Sequence, residues 1–155
     1  MKNKAVCNWL PVVVAAIVVV SIAAPAHASG HRCSLARSAG NYAFTDNGTV
    51  IGVGPRTAVG VFKLDGAGNL TNGVGTSSLN GSVAQETFSG TYTVNSDCTG
   101  TGSATIYSGG TEILALTMNL AFDDEMEEMR AIISSVSLPD ATQLNSVIYL
   151  EAKKQ

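Results

Sequence analysis

The segment Thr87-Phe88-Ser89-Gly90-Thr91-Tyr92-Thr93-Val94 alternates two kinds of side chain. Its even positions carry Phe, Gly, Tyr and Val, and its odd positions carry only Thr or Ser. Successive side chains of a β-strand point to opposite faces, so a period of two predicts a strand with one face in a core. The segment therefore predicts a half-buried strand in an all-β domain.

Short turns follow one another at close intervals on both sides of this segment. Pairs that tolerate positive φ, as tight hairpins require, are Asn47-Gly48, Asp65-Gly66, Asn72-Gly73, Asn80-Gly81, Thr99-Gly100 and Gly109-Gly110. Between such turns we predict strands at 41–46, 49–53, 57–64, 70–79, 83–95, 101–107, 111–122, 129–138 and 144–153. For the acidic run 123–128 we expect a charged hairpin tip, and for 123–133 we allow at most one turn of helix.

Sequential strands joined by tight turns pair mostly with their neighbours. Eight such strands protect their edges best by closing into a barrel. We therefore predict an all-β fold, an antiparallel meander closing into a small barrel of about eight strands. The alternative is a two-sheet β-sandwich.

The N-terminus has the three zones of an export signal: Lys2 and Lys4, an apolar run over 10–24, and the small-x-small site Ala26-His27-Ala28. We expect residues 1–28 to be a signal peptide, 29–40 an N-terminal leader and 41–155 the β-barrel domain. The mature protein is then periplasmic or extracellular. A retained membrane anchor is the less favoured alternative, because the apolar run is shorter than the ~20 residues that span a bilayer. We expect no stable membrane insertion after cleavage.

The charge of the mature chain argues against a nucleic-acid partner, and its cysteine content predicts a disulfide. Without Lys2 and Lys4 the mature chain has seven basic and twelve acidic residues, a net charge of −5. We therefore expect no nucleic-acid partner, since such binding depends on clustered basic residues. Cys33 and Cys98 are the two cysteines of the mature chain, and in an oxidising compartment we expect them to form a disulfide.

The mature sequence offers few residues suited to catalysis or metal binding. His31 is the one histidine of the mature chain and lies in the leader, so no nucleophile–base hydrolase is expected and no catalytic residue is assigned. We expect no metal site and no cofactor. A barrel isomerase or cyclase acting through one carboxylate, with Glu86 as the candidate, stays open.

The leading hypothesis is binding of a small apolar or amphipathic ligand in the barrel lumen. An eight-stranded barrel has room for side chains or one small ligand. The candidate ligand-binding residues are Tyr42, Phe62, Tyr92 and Arg130; the first three also suit core filling, and Arg130 would mark a polar spot if it faced inward. The alternative is a structural or surface-interaction module without a lumen ligand. An enclosed pocket of roughly 300 Å³ or more would favour binding.

Three stretches, 40–44, 58–70 and 90–101, resemble a group of secreted bacterial β-barrel proteins to which no activity is assigned. More loosely, Gly40-x-Tyr42 is similar to the Gly-x-Trp start of calycins, the superfamily of lipocalins and avidins, and Cys33-x-Leu35 and Gly90-Thr91-Tyr92-Thr93 are similar to avidin segments. Allene oxide cyclase-type barrels are a further architectural relative. The resemblance implies a small calycin-like barrel. It does not carry biotin binding over, because avidins grip biotin with several tryptophans and the mature chain has none.

Overall fold

A computed structural model describes residues 33–155 of the chain. The predicted signal peptide, its cleavage site and His31 lie outside the described residues. Within 33–155, no helix is long and apolar enough to cross a membrane.

The described chain forms one short helix and nine strands. They are α1 (Leu35–Ser38), β1 (Gly40–Val50), β2 (Gly54–Leu64), β3 (Asn69–Leu79), β4 (Ser82–Tyr92), β5 (Thr99–Ser108), β6 (Thr111–Phe122), β7 (Glu128–Ser137), β8 (Gln143–Leu144) and β9 (Ser146–Lys154). The alternating segment 87–94 forms the second half of β4 and the two residues after it.

All strand pairs are antiparallel, and the sheet closes on itself. From β1 to β7 each strand pairs with the next, and β9 pairs with both β7 and β1. The two-residue β8 also pairs with β7, one residue before β9 begins. The fold is therefore an eight-stranded antiparallel barrel with one extra short strand, which confirms the predicted barrel over the sandwich.

Three of the six predicted turns are confirmed and three are wrong. Asn80-Gly81 and Gly109-Gly110 connect hairpins with both residues at positive φ, and Asp65-Gly66 lies in the loop between β2 and β3. By contrast, Asn47-Gly48 lies inside β1, Asn72-Gly73 inside β3, and Thr99-Gly100 opens β5. The predicted strands 41–46 and 49–53 are consequently one strand that ends in a turn at 51–53.

Close backbone approach explains one of the misplaced turns, and a β-bulge explains another. A Cβ on Gly48 would overlap the carbonyl oxygen of Val147 on β9, so glycine is needed where these strands curl tightly together. At 72–73 the pairing of β3 with β4 shifts register, and Asn72 has a φ of 54°. A β-bulge, which bends the strand and increases its twist, therefore replaces the expected turn.

The acidic tip is confirmed as the connection between β6 and β7. The Asp123 carboxylate accepts hydrogen bonds from the backbone N–H groups of Glu127 and Glu128 at 2.8 and 2.9 Å. Met126, with a φ of 61°, turns the chain back toward the barrel and is fully buried. The one helix in the described chain is α1, in the predicted leader rather than in 123–133.

The two ends of the barrel differ. We call the end covered by α1 the base and the end formed by the turns at 51–53, 80–81, 109–110 and 138–142 the mouth. The predicted disulfide joins Cys33 and Cys98 at the base, with Cα atoms 5.0 Å apart. The base is therefore held shut by a covalent link between the start of the domain and the β4–β5 loop.

Candidate functional site

A cavity lies inside the barrel, and its lining runs from Leu70 and Met129 near the base to the turns of the mouth. Apolar side chains from many strands line most of it, among them Phe88, Ile106, Leu114, Leu116, Ile133 and Ile148. Val53, which is 44% exposed in the β1–β2 turn, also lines it. The cavity therefore extends from the core to a solvent-exposed residue at the mouth.

The cavity volume is about 120 Å³. That is below the roughly 300 Å³ at which typical ligand pockets begin. It is close to the ~150 Å³ of an engineered apolar cavity that stays dry and binds benzene or xenon. The size therefore fits a single small ring or a short alkyl chain, and not a larger ligand.

Three charged side chains lie together on the wall formed by β1, β2 and β4. Arg56 donates from Nη1 and Nη2 to the two carboxylate oxygens of Glu86, at 3.2 and 3.1 Å, and from Nη2 to Oδ2 of Asp46 at 3.3 Å. Ser77 on β3 donates to Oε1 of Glu86 at 2.6 Å. We call Asp46, Arg56 and Glu86 the lumen triad. All three line the cavity.

The triad is buried but not fully satisfied. The side chains of Asp46, Arg56 and Glu86 are 9, 14 and 7% exposed. Oδ1 of Asp46 is buried and has no hydrogen-bond partner in the described chain. Burial raises the pKa of Asp46, and the neighbouring Glu86 adds to that effect. Arg56 and the backbone N–H of Ala58 offset it only in part.

Glu86, the open candidate for carboxylate catalysis, is held on both oxygens by Arg56 and Ser77. It therefore faces the lumen as an anchored ion-pair partner. Within residues 33–155 no group of three or more His, Cys, Asp or Glu side chains is placed to hold a metal ion.

The aromatic candidates divide between the lumen and the base. Phe62 lines the cavity, whereas Tyr42 stacks on its base side with ring centroids 5.5 Å apart. The Tyr42 hydroxyl lies 2.8 Å from the Ser38 carbonyl oxygen and 3.2 Å from that of Met126. The Tyr92 hydroxyl donates to the Asp65 carbonyl at 2.5 Å. Both tyrosines thus tie the base loops together and lie outside the cavity lining.

The selection of Arg130 as a lumen-facing residue is corrected. Its side chain is 63% exposed on the outer surface and lies 3.6 Å from Glu128 and 3.8 Å from Glu151. Strand alternation grouped Arg130 with Val136, which is buried. A register shift in the β6–β7 pairing, between Met118↔Ile133 and Thr117↔Ser135, reverses the facing along β7, so the two residues point to opposite sides.

Sequence reasoning missed Asp46 and Arg56. The misassigned turn at Asn47-Gly48 divided β1 into predicted strands at 41–46 and 49–53. The following strand was predicted to begin at 57, which left Arg56 outside any strand. A signal was present, because Asp46 follows Tyr42 and Phe44 at the spacing of two that marks one strand face. Arg56 precedes Ala58 and Phe62 in the same way.

Comparison with known proteins supports the fold alone. No protein-family model matches the chain, and no curated protein matches it. Among solved structures, the chain is similar to a redesigned β-barrel, mFAP1, bound to DFHBI, with 15% identity over 79% of this chain and 98% of that one, and a TM-score of 0.50. It is also similar to EF1p2_mFAP2b bound to DFHBI, with 13% identity over 82% of this chain and all of that one, and a TM-score of 0.56.

Proposed function

We propose that this protein is an exported, calycin-like barrel that binds one small apolar or amphipathic molecule in its lumen. The observation that carries the proposal is the cavity of about 120 Å³, which has an apolar lining, one charged wall and an exposed residue at its outer end. Ligand sites commonly combine a concave apolar lining with a few placed polar groups, and they commonly lie in the mouths of β-barrels.

Two further observations support parts of the proposal. The disulfide between Cys33 and Cys98 suits an oxidising compartment outside the cytoplasm, in agreement with the signal-like N-terminus. Barrels of the same fold are bound to DFHBI, so this architecture is compatible with ligand binding. The ligand itself is argued from this chain's own cavity.

Toluene is a suitable first probe, because its single ring matches the cavity size. Titration of methyl-labelled protein, followed by NMR, should shift the methyl signals of Leu114, Leu116 and Ile133 in the lumen. Ala104→Phe fills the lining from β5 and should abolish these shifts. Val59→Phe, at a position 55% exposed outside the barrel, is the matched control and should retain them.

Two results would contradict lumen binding. One is the absence of any shift at toluene saturation. The other is a set of shifts confined to outer methyl groups such as those of Val59 and Val61. Should Ala104→Phe fail to fold, Leu116→Phe on β6 adds volume to the same cavity and serves as the second filling variant.

The alternative, a surface-interaction module, is supported by one feature of the outer face. Val59, Val61 and Val74 are 55, 44 and 48% exposed on the neighbouring strands β2 and β3, and Val61 pairs directly with Val74. Clustered apolar side chains on a surface mark interaction sites more often than single ones do. A lumen that takes no probe would favour this second function.

A further inference from the structure

The unpartnered oxygen of the lumen triad indicates what kind of molecule the cavity accepts. We propose that the ligand is a small organic cation, a protonated amine on a single ring or short alkyl body, whose ammonium group donates to Oδ1 of Asp46. This inference rests on the proposed function, since it names the class of ligand that the lumen takes.

The hydrogen bonds of the lumen triad are distributed unevenly over its carboxylate oxygens. Oδ2 of Asp46 and both oxygens of Glu86 accept hydrogen bonds from Arg56, and Ser77 adds a second to Glu86. The backbone N–H of Ala58 lies near the Asp46 carboxyl group, but no donor meets hydrogen-bond geometry at its buried Oδ1. Buried carboxylate oxygens without a donor are rare, because their desolvation is not repaid. A ligand donor at this atom would complete the set.

The net charge of the lumen triad favours a cationic ligand. Two carboxylates face one guanidinium, so the ionised triad carries a net charge of −1 inside an otherwise apolar lining. A buried net charge is costly unless an opposite charge joins it. An ammonium group supplies both the missing positive charge and a donor, whereas a neutral donor supplies only the latter and a carboxylate ligand would add repulsion.

The apolar lining and the volume of the cavity limit the body of the ligand. Phe44, Phe62 and Phe88 line the cavity beside the triad and contact one another, with ring centroids 5.5 to 6.3 Å apart. An apolar body is needed to fill the remaining space. With about 120 Å³ available, that body is one ring or a few methylene groups.

Four probes that share a similar one-ring body isolate the head group: benzylamine, benzyl alcohol, toluene and benzoate. Binding of each is measured by NMR titration at neutral pH. We expect benzylamine to bind about tenfold or more tightly than toluene, with benzyl alcohol between them and benzoate weakest, since hydrogen bonds to charged groups are the stronger ones.

Asp46→Asn is the diagnostic variant. It should reduce benzylamine affinity about tenfold and leave toluene affinity within about twofold, because it removes the charge and keeps the shape. Glu151→Gln removes a carboxylate outside the barrel, where the side chain is 58% exposed, and should change neither affinity.

The outcomes separate this inference from the proposed function. Failure of all four probes would contradict lumen binding itself. Toluene binding as tight as benzylamine binding, or an amine preference that survives Asp46→Asn, would overturn the cation assignment and leave lumen binding standing. Loss of benzylamine binding in Glu151→Gln alone would place the amine on the outer surface and also overturn it.

Discussion

At the scale of single residues, the lumen triad places three charged side chains in a largely apolar interior. Removing charged groups from water is expensive, and their mutual attraction repays the cost only when the geometry and hydrogen bonding are complete. Glu86 meets that condition through Arg56 and Ser77, whereas Asp46 does not. Ionisation of Asp46 therefore costs the folded state free energy.

Asp46→Asn is expected to raise the free energy of unfolding at pH 7. The folded-state pKa of Asp46 lies above its ordinary value of 3.8, chiefly because of burial. Ionised Asp46 therefore destabilises the folded state above that raised pKa, and the cost disappears as pH falls below 3.8. Urea unfolding of both proteins across the acidic range should show the advantage of the variant at neutral pH shrinking toward zero in acid.

A loss of stability in Asp46→Asn would contradict this expectation. A variant that is less stable than the parent at pH 7, by an amount that disappears in acid, would mean that ionised Asp46 is stabilised by Arg56. The folded-state pKa of Asp46 would then lie below its ordinary value of 3.8 instead of above it.

At the scale of elements, glycines inside strands allow the barrel to curl. A Cβ on Gly60 of β2 would overlap the carbonyl oxygen of Val74 and would lie 2.7 Å from Cα of Gly75 on β3. Gly66, in the next loop, has open space around it and meets only Cα of Ala36, at 3.8 Å. The two glycines therefore have different reasons to be there.

Gly60→Ala is expected to destabilise the protein by about 1–3 kcal/mol, because the added methyl group forces neighbouring backbone apart. Gly66→Ala is the control and should stay within about 0.5 kcal/mol of the parent. Chemical unfolding monitored by circular dichroism measures both. Equal stability of the two variants would show that β2 and β3 have room to separate and that close approach is not what requires Gly60.

The same glycines show why the strands were predictable and some boundaries were not. Alternation along β4 and β6 depends on local side-chain facing and is visible in the sequence. The pair Asn47-Gly48 has the composition of a hairpin turn, and only its contact with Val147, about a hundred residues away in sequence, shows that it lies inside a strand. The bulge in β7 that separates Arg130 from the lumen likewise depends on pairing with β6.

At the scale of the whole molecule, the base is closed by covalent and polar links, while the mouth is closed only by short turns. The disulfide joins residues 65 positions apart, and Tyr42 and Tyr92 hydrogen-bond the loops around α1. Alternation and turn spacing predicted the barrel but not whether its interior is full. How far the lumen is filled depends on the inward side chains of all eight strands together.

Reduction of the Cys33–Cys98 bond is expected to lower the free energy of unfolding by about 2–4 kcal/mol, since the bond limits a long loop in the unfolded chain. Urea unfolding of the mature chain with and without a reductant tests this. The double variant Cys33→Ala, Cys98→Ala should match the reduced protein and should not respond to reductant. No loss of stability once both thiols are shown to be free would contradict a structural role for the bond.

The barrel lumen is a largely apolar cavity that we expect a small molecule to enter. Diffraction from crystals pressurised with xenon tests this entry, because xenon occupies dry apolar cavities of about this size. We expect an anomalous peak inside the barrel, among Phe88, Leu116 and Ile148. A lumen filled by repacked side chains, or by ordered water with no xenon, would contradict it.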